Sequence, residues 1–247
     1  MRFGNVLWRV WVAWLIGLIS HTAAYGESPQ AQAARALWAG VEQQIAAGRD
    51  EFGIDSLSPA VRAALGAVPR DQFVPPDQRR FAYENRPLPI GYGQTISQPL
   101  IVALMTELLQ VEDGDRVFEL GTGSGYQAAV LDALGARVYS VEIVPELGKR
   151  ARATLDQQGH SAVETRIGDG YFGWEEAAPF DAIIVTAASD HIPPPLIRQL
   201  KPGGRMLIPV GSRFATQKLV LVTRDSGGMV RTRELLPVVF VPLTGSH

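Results

Sequence analysis

The chain contains no cysteine and only four histidines among its 247 residues. Without cysteine there is no disulfide frame, no thiolate zinc site and no cysteine nucleophile. His21, His160, His191 and His247 show neither HxxxH nor HExxH spacing, so nothing in the pattern points to a metal centre. Charge of either sign is not in excess: 23 basic residues stand against 25 acidic ones, a net charge of −2. That balance lacks the basic surplus with which proteins neutralise phosphate backbones, so nucleic acid is a poor partner. What is present is an ordinary globular mixture, 46% hydrophobic and 19% charged, which excludes a disordered or fibrous chain.

The first two dozen residues stand apart. Residues 1–24 carry Arg2 and Arg9, no acidic residue, and the apolar run VWVAWLIGLI from Val10 to Ile19. Ten apolar residues are too few to span a bilayer, and Thr22, Ala23 and Ala24 follow where a signal peptidase could cut. The segment reads as a secretory signal or as an uncleaved surface anchor. Without it, 21 basic residues face 25 acidic ones. Residues 25–110 are expected to form a helical and substrate-loop region, residues 111–247 an α/β core, and the two together one folded unit.

Leu37, Val41 and Ile45 recur at four-residue spacing in 31–48, the signature of one helix face. Ser58-Pro59 reads as an N-cap followed by proline at the first helical position, with the helix ending before Pro69. The stretch from Phe73 to Gly93 is rich in proline and glycine and reads as a long connection, of a length usually tied to binding. Pro99 then opens an apolar helix to about Leu109. From Arg116 the pattern becomes short β-rich runs alternating with helical ones: RVFEL, ARVYSVE, AVETRI, DAIIVTA and GRMLIPV. This alternation predicts a doubly wound α/β fold with a mainly parallel central sheet. KLVLVTRD and two runs around Gly228 to Leu243 read as antiparallel closing strands.

Strand RVFEL runs directly into Gly121-Thr122-Gly123-Ser124-Gly125. Glycines at the carboxyl end of a first parallel strand allow a sharp turn and close approach of a ligand. A dinucleotide fingerprint would place Gly or Ala at 126, where Tyr126 stands, so the loop fits a ligand without a pyrophosphate. Glu142 ends the second strand, where a carboxylate can accept from two ribose hydroxyls. Asp169, in Gly168-Asp169-Gly170 after the third strand, reaches the same crevice and could accept from an adenine amino group; it also fits a purely conformational turn. Tyr171, Phe172 and Trp174 read as core more readily than as adenine-stacking residues. Together these features point to a nucleoside ligand.

Several blocks resemble the protein-L-isoaspartate O-methyltransferases, a family of S-adenosylmethionine-dependent enzymes: AVPRDQFVP, LPIGYGQTISQP, ELGTGSGYQAAVL, VYSVE, GDGYFGW, APFDAIIVTAA, QLKPGGRMLIPVG and FVPLTG, spanning roughly Ala67 to Gly245. The extension before about Ala31, and Ile143-Val144 after Glu142, depart from the family's usual pattern. The resemblance implies a Rossmann-like methyltransferase fold with an N-terminal helical subdomain, and S-adenosyl-L-methionine as cofactor. It implies isoaspartyl proteins and peptides as partners, a monomer, and a cytoplasmic location; export through residues 1–24 is the alternative. It places Ser97 as the active-site serine, with Gln94, Thr95 and Ile96 holding the peptide. Glu119, Gly121, Thr122, Gly123, Ser124, Gly125, Glu142, Asp169 and Gly170 line the cofactor site. Ser97 also lies two residues before Pro99, as an N-cap would.

An isoaspartyl carboxylate, with an ordinary pKa of about 4, is already ionised at neutral pH. Methyl transfer to it therefore needs alignment and water exclusion rather than a general base. Three other readings share parts of the pattern: a base methyltransferase, a nicotinamide oxidoreductase, and an exported nucleoside-binding protein without chemistry. The first is disfavoured by Val185-Thr186-Ala187-Ala188 where a D/N-P-P-Y turn would stand, and the second by Tyr126.

Overall fold

The computed structural model describes residues 28–212 and 216–245; the signal-like segment lies outside them. Helices α1 (Pro29–Ala47), α2 (Arg49–Phe52) and α3 (Pro59–Ala67) come first. A hairpin, β1 (Leu88–Gly91) and β2 (Gln94–Ile96), leads into α4 (Pro99–Leu109). Strands and helices then alternate through β3 (Arg116–Leu120), α5 (Tyr126–Ala133), β4 (Arg137–Glu142), α6 (Pro145–Gln157), β5 (Glu164–Ile167), β6 (Phe180–Val185), α7 (Pro194–Gln199) and β7 (Leu200–Val210). The last strands are β8 (Gln217–Arg224) and β9 (Val230–Val238). Proline begins α1, α3, α4, α6 and α7, where its missing N–H costs nothing and its fixed φ suits a helix.

Seven strands form one sheet in the order β5-β4-β3-β6-β7-β8-β9. The first five pair in parallel, and β8 runs antiparallel to both neighbours. The direction of winding reverses between β3 and β6, and the loops after those strands diverge to open a crevice. The doubly wound architecture with antiparallel closing strands is as the alternation of runs predicts.

Both faces of the sheet are covered, which is why its strands read as near-continuous apolar runs. Val117, Ala182, Ile184 and Leu207 point to the face that carries α1, α3, α4 and α5, with Leu37, Val41 and Ile45 in the same cluster. Their neighbours Phe118, Ile183, Met206 and Ile208 point to the other face, where Phe118 and Phe180 rings lie 5.3 Å apart. The N-terminal helices thus share the core of the sheet.

Three expectations are corrected. The stretch 73–93 is ordered: two 3₁₀ turns (Arg70–Phe73, Pro76–Phe81) and the β1-β2 hairpin use its prolines and glycines as turn formers. Ser97 does not cap α4. The N-cap is Gln98, without a side-chain cap bond, and Asn85 Oδ1 accepts from Leu100 N at 3.0 Å instead. Finally, one strand rather than two follows Gly228. Beyond Val238 the chain leaves β8 and crosses to Ala188, whose N donates to Val241 O and whose carbonyl accepts from Leu243 N; Pro242 between them has no N–H to offer.

Ser58 does cap α3: its Oγ accepts from Val61 N at 3.3 Å, while its own N donates to Glu107 of α4 at 2.7 Å. Ser58→Ala removes the first bond and keeps the second. It should lower stability by about 1 kcal/mol, read as a fall of roughly 2–4 °C in the thermal midpoint.

Candidate active site

The ends of β3, β4 and β6, the hairpin and the tail after β9 surround a cleft. The glycine loop forms its floor. Gly121 has φ 97°, and a side chain there would collide with Thr186 Oγ1, which lies 2.7 Å from the Gly121 carbonyl and 3.0 Å from that of Leu120. Gly125, at φ 87°, turns the chain into α5 and packs against Leu155 and Ala151 behind the cleft rather than lining it. Ser124 Oγ accepts from Tyr126 N at 3.2 Å.

Glu142 holds this loop from the side. Its two carboxylate oxygens accept from Gly123 N at 2.7 Å and Val144 N at 2.9 Å. Each oxygen keeps a further lone pair, enough for two hydroxyls of a bound ribose. Glu119, one strand over, is fully buried and also lines the cleft. One oxygen accepts from Ser140 Oγ, which is itself 2.6 Å from Thr122 Oγ1; the other has no partner among the described residues. Burial, reinforced by the nearby Glu142 charge and opposed by the Ser140 hydrogen bond, pushes the Glu119 carboxyl up to about 8.

Gln94, Thr95, Ile96 and Ser97 line the opposite wall, with Gly121, Thr122, Gly123, Ser124 and Gly170. Asp169 is adjacent to the lining rather than part of it: its Oδ1 accepts from Tyr171 N at 3.0 Å, capping the short turn Gly170–Phe172. Trp174 is buried in the core, Phe172 is exposed, and neither they nor Tyr171 line the cleft. The two histidines in the described residues lie elsewhere. His191 is a surface residue beside Tyr171, and His160 is half-buried against Asp132 at 2.7 Å.

Sequence reasoning missed Thr186, Gln127 and the tail residues Val241 to Thr244, all of which line the cleft. Nothing local marks the tail as part of a site; only its pairing with Ala188 brings it there. Ser97, Thr95, Thr186 and Val241 also border a second, larger depression whose rim includes Ile101, Val239 and Phe240. Ser97 Oγ has no hydrogen-bond partner among the described residues and stands where the two depressions meet.

Among the described residues no lysine, arginine or histidine lines the first cleft, while two carboxyl groups do. A pyrophosphate would find no counter-charge there. A nucleoside that carries a cationic sulfonium and ammonium would fit: Glu142 offers spare acceptor sites, and the buried Glu119 carboxyl, with one oxygen unsatisfied, would be drawn into its ionised form by a positive charge beside it.

The family model for protein-L-isoaspartate(D-aspartate) O-methyltransferase matches residues 50–247. The chain belongs to this family. It is 58% identical over 202 residues to "Protein-L-isoaspartate O-methyltransferase 1" of Cupriavidus necator, covering 82% of this chain and 78% of that one. It is 51% identical over 240 residues to "Protein-L-isoaspartate O-methyltransferase 2" of Syntrophobacter fumaroxidans, covering 95% and 97%. That alignment reaches into the segment before Ala31. Among solved structures, a protein-L-isoaspartate O-methyltransferase superposes with a TM-score of 0.74 at 28% identity, over 86% of this chain and 66% of that one. A Plasmodium falciparum protein described as a putative member, in complex with S-adenosyl-L-homocysteine, shares the fold with a TM-score of 0.71 at 24% identity, over 88% of this chain and 99% of that one. The chain is thus an S-adenosylmethionine-dependent methyltransferase by family, with a Rossmann-like fold.

A buried carboxyl whose pKa is raised on folding binds more protons in the native than in the unfolded state between about pH 4.5 and 8, so its contribution to stability falls as pH rises through that window. Glu119→Gln should therefore stabilise the ligand-free protein at pH 8 and change it little at pH 5, as read from thermal midpoints at both values. Gly121→Ala, which meets Thr186 at a left-handed φ, should weaken S-adenosylhomocysteine binding by roughly tenfold or more in calorimetry.

Proposed function

We propose that this protein transfers the methyl group of S-adenosyl-L-methionine to the free carboxylate of L-isoaspartyl residues in damaged proteins and peptides. The ester then closes to a succinimide that hydrolyses in part to normal aspartate, so the net effect is repair. The observation that carries this reading is the meeting of two depressions at Ser97, one lined by two carboxyl groups and the glycine loop, the other rimmed by apolar side chains.

The cofactor supplies an electrophilic methyl on a positively charged sulfur. The chain's own residues do the rest. Glu142 would take the ribose hydroxyls, Asp169, beside the lining, would accept from the adenine amino group, Glu119 would ionise against the positive charge, and Gly121, Gly123 and Gly170 would line the ligand's path. The Ser97 hydroxyl, free of other partners, donates to one oxygen of the acceptor carboxylate and aims the second at the methyl group. Gln94, Thr95 and Ile96 hold the peptide backbone. No base is needed, because the acceptor is ionised at neutral pH, and among the described residues no histidine or lysine lines either depression. Alignment supplies most of the acceleration, with water excluded by the apolar rim.

The working form is a monomer in which residues 25–247 fold as one unit. No helix among the described residues is long and apolar enough to cross a membrane. Supply of S-adenosylmethionine favours the cytoplasm, and fractionation with the intact mass of the isolated protein distinguishes this from export with loss of residues 1–24.

The direct test is methyl incorporation from labelled S-adenosylmethionine into paired peptides that differ only in isoaspartate versus aspartate. Label on the isoaspartyl peptide alone is the expected result; binding of cofactor without label on either peptide would require another acceptor. Ser97→Ala should lower kcat by about 10–100-fold, the worth of one hydrogen bond to a charged group, while S-adenosylhomocysteine binding stays near wild type. Full activity in that variant would remove Ser97 from the mechanism.

A further inference from the structure

Arg70 has no exposed surface at all. It lies in the block AVPRDQFVP, within the 3₁₀ turn that ends at Phe73. Its Nε donates to Ala82 O at 3.0 Å and one terminal nitrogen donates to Ser97 O at 2.8 Å. The other terminal nitrogen is buried without a partner, and no carboxylate pairs with the guanidinium among the described residues. Its charge rests instead against the ring of Tyr126, 5.2 Å from the centroid, and Phe73 meets the same ring edge-on at 5.5 Å. Burial pulls the Arg70 pKa down to about 10, which leaves it charged at neutral pH.

A buried cation without a counter-ion is unfavourable, and an apolar side chain would fill the same space at lower cost if packing were the only demand. What an arginine adds is a planar fork that fixes two carbonyls in one geometry, together with a charge. One of those carbonyls belongs to the residue at the junction of the two depressions. The ring beneath the fork belongs to the first residue of α5, directly after the glycine loop.

We propose that Arg70 is a positioning residue for methyl transfer, pinning the backbone at Ser97 against the helix that follows the cofactor loop and so fixing the acceptor segment relative to the methyl donor. The inference rests on reading the two depressions as a methyl-transfer site. Arg70 touches neither ligand. It acts through Ser97 and Tyr126, and its uncompensated charge favours an anion in the acceptor groove. In-line displacement is intolerant of small misplacements, so loss of this anchor should appear in turnover before it appears in cofactor affinity.

The test compares the full chain with Arg70→Lys and Arg70→Gln. Arg70→Lys should bind S-adenosylhomocysteine and keep KM for an isoaspartyl peptide within about threefold of wild type, while kcat falls by about 10–100-fold. Arg70→Gln, which also lacks the charge, should raise KM in addition. Wild-type kcat in Arg70→Lys, or a loss of cofactor affinity that parallels the loss of kcat, would overturn the proposal. If neither variant folds, arginine-labelled wild-type protein decides by NMR. Slowly exchanging, rotationally fixed guanidinium protons on Arg70 are expected, and a freely rotating group would overturn it. A wild-type protein that binds the product yet methylates no isoaspartyl peptide counts against the acceptor, and the NMR result still decides whether Arg70 restrains Ser97.

Discussion

The parallel pairing of β3 with β4 on one side and β6 on the other fixes where everything else can go. Because Leu120 stands opposite both Val141 and Val185, the three strands end at one level, and the residues that follow them emerge side by side. The glycine loop, Glu142 and Thr186 face one another for that reason alone. Glu142 then locks the arrangement by accepting from Gly123 N, in the loop of the adjacent strand. A shift of one residue in this register would turn Glu119 and Glu142 to the opposite faces of the sheet.

Within that frame the electrostatics select the ligand. Among the described residues two carboxyl groups and no cationic side chain form the lining, and one carboxyl is held in a poorly solvated place with an oxygen unsatisfied. Such a group is unfavourable in the empty protein and is relieved by a positive charge. At the junction with the second depression the Arg70 guanidinium, which has no carboxylate partner among the described residues, holds the backbone carbonyl of Ser97.

Much of this was legible in the chain before its fold was known, and the reasons differ by element. Strand positions were legible because sheet burial on both faces leaves runs such as DAIIV almost wholly apolar. The starts of α3 and α4 were legible because Pro59 and Pro99 mark them. The glycine loop, Glu142 and Asp169 were legible because they stand at or just beyond strand ends, whereas Glu119, inside β3, came only from the family resemblance. Ser97 was harder: local spacing favours a helix cap, and only the distant Asn85, which takes over that duty, frees the serine. Arg70 and the tail were not legible at all as site components, since a charged residue near two prolines reads as surface and the tail's place depends on pairing with Ala188. Long-range pairing leaves no local periodicity to read.

That tail has a consequence for how the protein matures. Residues 241–244 close a cleft whose floor is laid down by residues 121–124, so the two halves of one binding site are separated by most of the α/β core in chain order. A growing polypeptide can complete β3, β4 and β6 and still have an open crevice. The lining of the cleft is complete only when this distal segment has docked on Ala188, after the central strands are in place.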